Sequence, residues 1–262
     1  MTVIEPPATS PELAAALRAA RAAAPLITGY YRSGVEVRIK SDRTPVTIAD
    51  EEAEATIRQI LLEAFPDYGF FGEESGLHGH DQSNLWLVDP IDGTKSFVRG
   101  YPFFSTQIAL MREGELVLGV SSAPAFGETA WAQRGAGAFL DGTPLRVSAV
   151  DAFDACTVSF GNLKTIAGDR RWQALGELVR TCNRTRGYGD FYHYHLLASG
   201  SIDLVIESDV NILDVAALSV LIEEAGGRFT DLTGAPLGLH SKSVLASNGQ
   251  LHALTLDLLG EP

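Results

Sequence analysis

Cysteine is almost missing from this chain: Cys156 and Cys182 are the two thiols in 262 residues. Two thiols build neither a disulfide framework nor a Cys-type zinc site, and a reduced cytoplasm is the default location. No apolar run approaches the ~18 residues of a membrane span. The opening "MTVIEPPATSPELAAALRAA" has no basic segment leading into an apolar core, so a secretory signal is not expected. Cations are also scarce, with 20 Lys and Arg against 33 Asp and Glu and a net charge of -13. No basic patch is available to neutralise a nucleic-acid backbone, which excludes that class of partner. Repeats and low-complexity tracts are absent apart from an Ala-rich first helix.

What remains is a chain with 45% hydrophobic and 20% charged residues, typical of a protein with a substantial core. Its length suits one large domain or two small ones closely joined. Ser10-Pro11 opens a helix with a serine cap and a proline at the first helical position. Leu13, Leu17 and Ala20 follow with helical period, and Pro25 is expected to kink or interrupt that helix. "VEVRIK" reads as a strand, and a second helix runs from about Asp50 to Phe65. "YGFFGEES" is a short strand ending at Glu73 and Glu74, followed by a polar loop carrying solvated His78 and His80. From Leu85 to about Val147 short strands alternate with Gly-containing turns, an antiparallel meander. The rhythm then changes to alternating strands and helices. The boundary near Val147–Phe153 divides the chain into an α+β half, residues 1–148, and an α/β half, residues 149–262.

The chemistry concentrates in "WLVDPIDGTKSF", residues 86–97. Asp89 and Asp92 end an apolar strand, where open sheets place ligands. An EF-hand loop from Asp89 needs a glutamate at its twelfth position, which is Gly100, so that reading fails. The haloacid-dehalogenase pattern needs its second acid two residues on, not three, and fails too. A polar turn remains open, since Pro, Asp and Gly all form turns. Hard divalent cations favour shared carboxylates, and Glu73, Asp89 and Asp92 offer three, with the Ile91 carbonyl as a further oxygen. Gly93 and Thr94 present backbone amides, at the start of a possible helix "TKSF", to a phosphate oxyanion.

"GEES" at 72–75, "DPIDGT" at 89–94 and "LDVAALSVLIEEAGG" at 213–227 together resemble the inositol monophosphatase superfamily of Mg²⁺-dependent phosphatases. The order and the gaps match from about Arg21 to Leu251. The resemblance implies a layered αβαβα sandwich of the α/β (α+β) class, with the active site between the halves. It implies that Glu73, Asp89 and the Ile91 carbonyl bind one Mg²⁺. Asp89, Asp92 and Asp214 would bind a second, and Glu73 would touch a third. Asp50 would pair with Thr94 to activate the attacking water, and Glu74 is a weaker candidate for placing it. Direct attack by metal-activated water then needs no covalent phosphoenzyme. A homodimer and inhibition by lithium are further implications. One departure is Leu213, where the family usually carries an aromatic residue. Asp214 alone would read as a helix cap.

Three details resemble the histidinol-phosphate phosphatase branch: Lys95 in "GTKSF", the stretch "SDRTPVTIADEEAE", and Asp190 and Glu207 on the substrate side. Two acids suit a substrate with an ammonium and an imidazole, since charge-assisted hydrogen bonds exceed neutral ones. The alternatives are an inositol 1-phosphate or 3′-phosphoadenosine nucleotide phosphatase, or a regulatory protein on the same fold. Asp190 also reads as a cap of the helix "FYHYHLLASG", and Glu207 as the partner of a surface arginine. Arg184 and Arg186 either reach a neighbouring subunit's substrate or line an exposed strand. Lys40 either offsets charge near the metals or ends a strand. His193 and His195 point to different helix faces, so they form no two-His metal pair; they read as core-edge or lid residues.

Overall fold

The computed structural model describes residues 10–33, 37–39, 45–79 and 83–260. Helix α1, Pro11–Ser33, is followed by β1, Val37–Ile39, β2, Pro45–Thr47, and α2, Ile48–Ala64. Next come β3, Gly69–Gly72, β4, Gly76–His78, β5, Asn84–Asp92, and the short α3, Thr94–Val98. The meander is β6, Ser105–Arg112, β7, Glu115–Ala123, β8, Glu128–Gln133, β9, Gly137–Leu140, and β10, Thr143–Pro144. The remainder holds β11, Thr157–Phe160, α4, Arg171–Thr181, β12, Arg184–Arg186, α5, Tyr192–Ala198, and β13, Leu204–Ser208. It ends with α6, Ile212–Glu224, β14, Arg228–Thr230, β15, Ser243–Ser247, and α7, His252–Gly260. Eight strands form one sheet in the order β10-β9-β8-β7-β6-β5-β3-β4, and five form another in the order β12-β11-β13-β15-β14.

Alternation along the strands sorts the apolar side chains into layers. On β5, Trp86 and Val88 join a core with α1 and α2, while Leu85 and Leu87 face the opposite core with α6. On β13, Val205 faces that same central core, while Leu204 and Ile206 join a third core with α4 and α7. The layers therefore run α1/α2, eight-stranded sheet, α5/α6, five-stranded sheet, α4/α7, the αβαβα sandwich the motifs imply. Helix α6 is buried nearly all round, from Ile212 through Ile222, because both of its faces meet a sheet.

Three local expectations change. Helix α1 runs unbroken through Pro25. Proline removes one hydrogen bond, and the buried face of Ala15, Ala16, Ala19, Ala20, Ala23 and Ile27 on either side holds the helix together. His78 lies on β4 rather than in a loop, exposed, with Nε2 3.3 Å from Arg58 Nη1. His195 and His193 are both fully interior, not at a lid. His80 and Lys40 fall outside the described residues. Among the described residues no helix is long and apolar enough to cross a membrane.

Candidate active site

In a regular strand, residues three apart point to opposite faces, so Asp89 and Asp92 should diverge. They do not, because β5 bulges between them. Asp89 pairs with Gln107 and Asp92 with Ser105, so β5 carries one more residue than β6 across this stretch. Pro90, which cannot donate to a ladder, sits in that bulge. Its carbonyl accepts from Thr106 Oγ1 at 2.9 Å. Asp89 Oδ1 accepts from the Ile91 amide at 2.9 Å, closing the turn. Gly93 then reverses the chain in the left-handed region, φ 86°, and caps α3.

Two further acids arrive by a shared device. Helices α2 and α6 both open with capping boxes in which the third residue is an aspartate. Asp50 Oδ2 accepts from the Thr47 amide at 2.8 Å, and Asp214 Oδ2 accepts from the Asn211 amide at 2.9 Å. Asp214 is therefore not itself the cap; Asn211 is. Each aspartate keeps a second oxygen for other work. Asp50 Oδ1 lies 3.3 Å from Thr94 Oγ1, whose hydroxyl is also 3.0 Å from the Ile91 carbonyl. A hydroxyl has one hydrogen, so Thr94 chooses between these two acceptors.

The carboxylates of Asp89, Asp92 and Asp214 each place an oxygen within 4.8 Å of the others. They line a cavity of about 520 Å³ together with Glu73, Ile91, Gly93, Thr94, Lys95, Asp190 and Glu207. Glu73 is placed from behind by a residue that sequence reasoning passed over. Glu54, on α2 and 2% exposed, accepts from the Glu74 amide at 2.7 Å and the Ser75 amide at 2.9 Å. The Glu73 amide itself donates to Val88 at 3.1 Å. Glu54 follows Asp50 by four residues, hence on the same face of α2, and that spacing was available to find it.

Two further acids, Asp190 and Glu207, share the lining. Asp190 adopts a left-handed φ of 42° and accepts from Ser96 Oγ at 3.1 Å. It does not cap α5, whose cap is Phe191 with no side-chain bond. Among the described residues Glu207 meets no surface arginine; its Oε2 stands 2.9 Å from Nε2 of the buried His193. Leu213 packs into the central core and does not line the cavity, whose apolar lining includes Phe160, Val210, Val215 and Leu218. Glu74 and Arg186 do not line the cavity. Arg186 is exposed on the edge strand β12 and donates to the neighbouring Thr185 carbonyl at 2.8 Å.

Burial pushes Asp89 well above the usual carboxylate range, and the charges of Glu73, Asp92 and Asp214 push the same way. Burial likewise raises Asp92, followed by repulsion from Asp190 and Asp214. Asp214 is pushed up to about 7 by burial, against the bond from the Asn211 amide. Burial also raises Asp50, with its Thr47 bonds opposing. Such a cluster is costly as bare carboxylates, and a cation within it reverses both causes. The donors are all oxygen, with no thiolate or imidazole among Asp89, Asp92 and Asp214, which fits a hard divalent ion.

With that geometry in place, the chain can be set beside known proteins. Residues 9–261 match the model of the inositol monophosphatase family. The chain is 42% identical to the histidinol-phosphatase of Mycobacterium tuberculosis over 233 residues, covering 86% of this chain and 89% of that one. It is 36% identical to the inositol-1-monophosphatase of Caulobacter vibrioides, covering 93% and 98%. Its fold matches the crystal structure of the extragenic suppressor protein SuhB of Bartonella henselae with a TM-score of 0.87 at 30% identity, covering 95% and 98%. The chain belongs to the inositol monophosphatase family, a family of metal-dependent phosphatases.

Proposed function

We propose that this protein is a Mg²⁺-dependent phosphate monoester hydrolase that converts L-histidinol phosphate and water to L-histidinol and phosphate. The observation that carries this reading is the cavity itself: three clustered aspartates, with two further acids, Asp190 and Glu207, in the same lining. Glu73, Asp89, the Ile91 carbonyl, Asp92 and Asp214 would hold two or three Mg²⁺ ions. Bound there, Mg²⁺ supplies Lewis-acid polarisation of the phosphoryl group and stabilises the charge that develops on it.

The chain's own residues do the rest. Thr94 Oγ accepts a proton from the attacking water and passes its own to Asp50 Oδ1, whose burial favours the protonated form. The Gly93 and Thr94 amides orient the phosphate oxygens. Asp190 and Glu207 receive the ammonium and imidazole of the alcohol through charge-assisted hydrogen bonds. The histidinol-phosphatase relative favours this substrate, while the inositol-1-monophosphatase relative keeps inositol 1-phosphate as the second reading.

The test is kcat/KM under Mg²⁺ for L-histidinol phosphate, inositol 1-phosphate and a 3′-phosphoadenosine nucleotide. Histidinol phosphate is expected to be preferred, and Asp92→Asn to lower its rate by about 10²-fold or more. Preference for inositol 1-phosphate overturns the substrate, and no phosphate release from any ester overturns the enzyme.

A further inference from the structure

Around Glu207 lies a buried polar cluster whose other members, His193 and Tyr194, the proposed chemistry does not use. His193 is fully enclosed, Tyr194 is 1% exposed and Glu207 is 8% exposed. His193 Nε2 and Glu207 Oε2 are 2.9 Å apart but off the line of an aligned hydrogen bond. Those two atoms and the Tyr194 hydroxyl are left without a hydrogen-bond partner. Unsatisfied buried polar atoms are costly, and such groups at a cavity often align only when the ligand arrives. Tyr194 and Glu207 line the cavity; His193 does not.

The other ring nitrogen of His193 is not left to chance. Its Nδ1 is 3.3 Å from Ser159 Oγ, which accepts from the Tyr188 amide at 3.3 Å. Ser159 Oγ keeps one hydrogen and one further acceptor site, and the tautomer in which it donates to Nδ1 puts the ring hydrogen on Nε2, facing Glu207. Gly161 leaves the space that the carboxylate fills: a Cβ there would lie 2.0 Å from Glu207 Oε2. Glu207 is thus placed from β13, steered by α5 and β11, and packed against a backbone that carries no side chain.

We propose that His193 is a specificity-determining positioning residue, which holds the Glu207 carboxylate toward the cationic group of the substrate alcohol. It does not touch the phosphate or the metal-binding aspartates. This inference rests on the reading of Glu207 as a substrate contact. Its effect falls on esters whose alcohol carries a positive charge and spares neutral ones, since only the former need a fixed carboxylate.

The experiment compares kcat and KM of the full-length enzyme on L-histidinol phosphate and on β-glycerophosphate, an ester of a neutral alcohol. His193→Ala is expected to raise KM for histidinol phosphate about tenfold, with β-glycerophosphate within about twofold of wild type. His193→Gln, which restores a side-chain donor, recovers part of the loss. Ser159→Ala, which frees the ring tautomer, moves KM the same way by less. Thermal denaturation of all three variants reports folding, and Ser159→Ala keeps the test valid if His193→Ala does not fold. Equal losses on both esters, or no change on either, overturn the inference. Glu207→Gln separates the two levels. If it leaves the ester ratio unchanged, the substrate reading of Glu207 fails and takes the inference with it. If it shifts the ratio while the His193 and Ser159 variants do not, the inference alone fails.

Discussion

Single atoms decide the site at the residue scale. The Glu54 carboxylate accepts two successive amides, Glu74 and Ser75, and so fixes the turn that presents Glu73. Glutamine in its place keeps one acceptor oxygen and turns an NH₂ toward an amide, which cannot accept it. Glu54→Gln is therefore expected to weaken Mg²⁺ binding by about 10- to 100-fold, with kcat at saturating Mg²⁺ largely kept. Calorimetric titration of the variant with Mg²⁺ measures this, and an unchanged Kd would refute the role. The pairing of Asp50 with Thr94 was implied by the family resemblance, and the tertiary structure adds its distance, 3.3 Å. His193 gave no signal in the sequence, because its partner Glu207 lies on a different element.

At the scale of elements, the site depends on how α6 lies on the eight-stranded sheet. Gly119 of β7 leaves room for it: a Cβ there would lie 2.3 Å from the Ala217 carbonyl. Ala216 and Ala217 are buried at this contact. Gly119→Ala must push α6 away, and Asp214 rides on the first turn of that helix. The expected cost is about 1–3 kcal/mol in urea denaturation, together with weaker Mg²⁺ binding. Wild-type stability and affinity in this variant would show that the sheet yields instead. Strand and helix periods placed most elements correctly, since alternation and 3.6-residue spacing are local properties. Pro25 causes no break because proline's effect on a helix depends on what the flanking turns bury, which the local sequence does not state.

For the whole molecule, the balance of buried titratable groups sets acid stability. His252 opens α7 and meets β14 and β15, with Nδ1 2.9 Å from Ser247 Oγ and Nε2 3.0 Å from Thr230 Oγ1. Burial, aided by Arg228, lowers its pKa from 6.5 to about 4. Between those values the unfolded chain takes up a proton that the folded chain refuses, so stability falls as pH drops from 6.5 toward 4. The raised aspartates of the metal-free site act in the opposite sense, since the folded state then holds protons that the unfolded state releases. The His252 part is isolated by difference: His252→Asn should show a shallower loss of denaturation midpoint than wild type across that window. Parallel curves for the two proteins would assign the acid sensitivity elsewhere.

By itself the sequence supplied the candidate residues of the site: which acids, which turn-formers, and the order in which they occur. The layer class followed from the sequence too, through the family that its motifs resemble. Only the tertiary structure decided that Asp89 and Asp92 share a face, since a bulge against β6 cancels their odd spacing. Only it decided that Asp214, 122 residues beyond Asp92 in the numbering, comes within 4.8 Å. The partner of Glu207 was equally hidden, because a carboxylate's partner is set by proximity in space, and Glu207 finds His193 only once α5 packs between the two sheets.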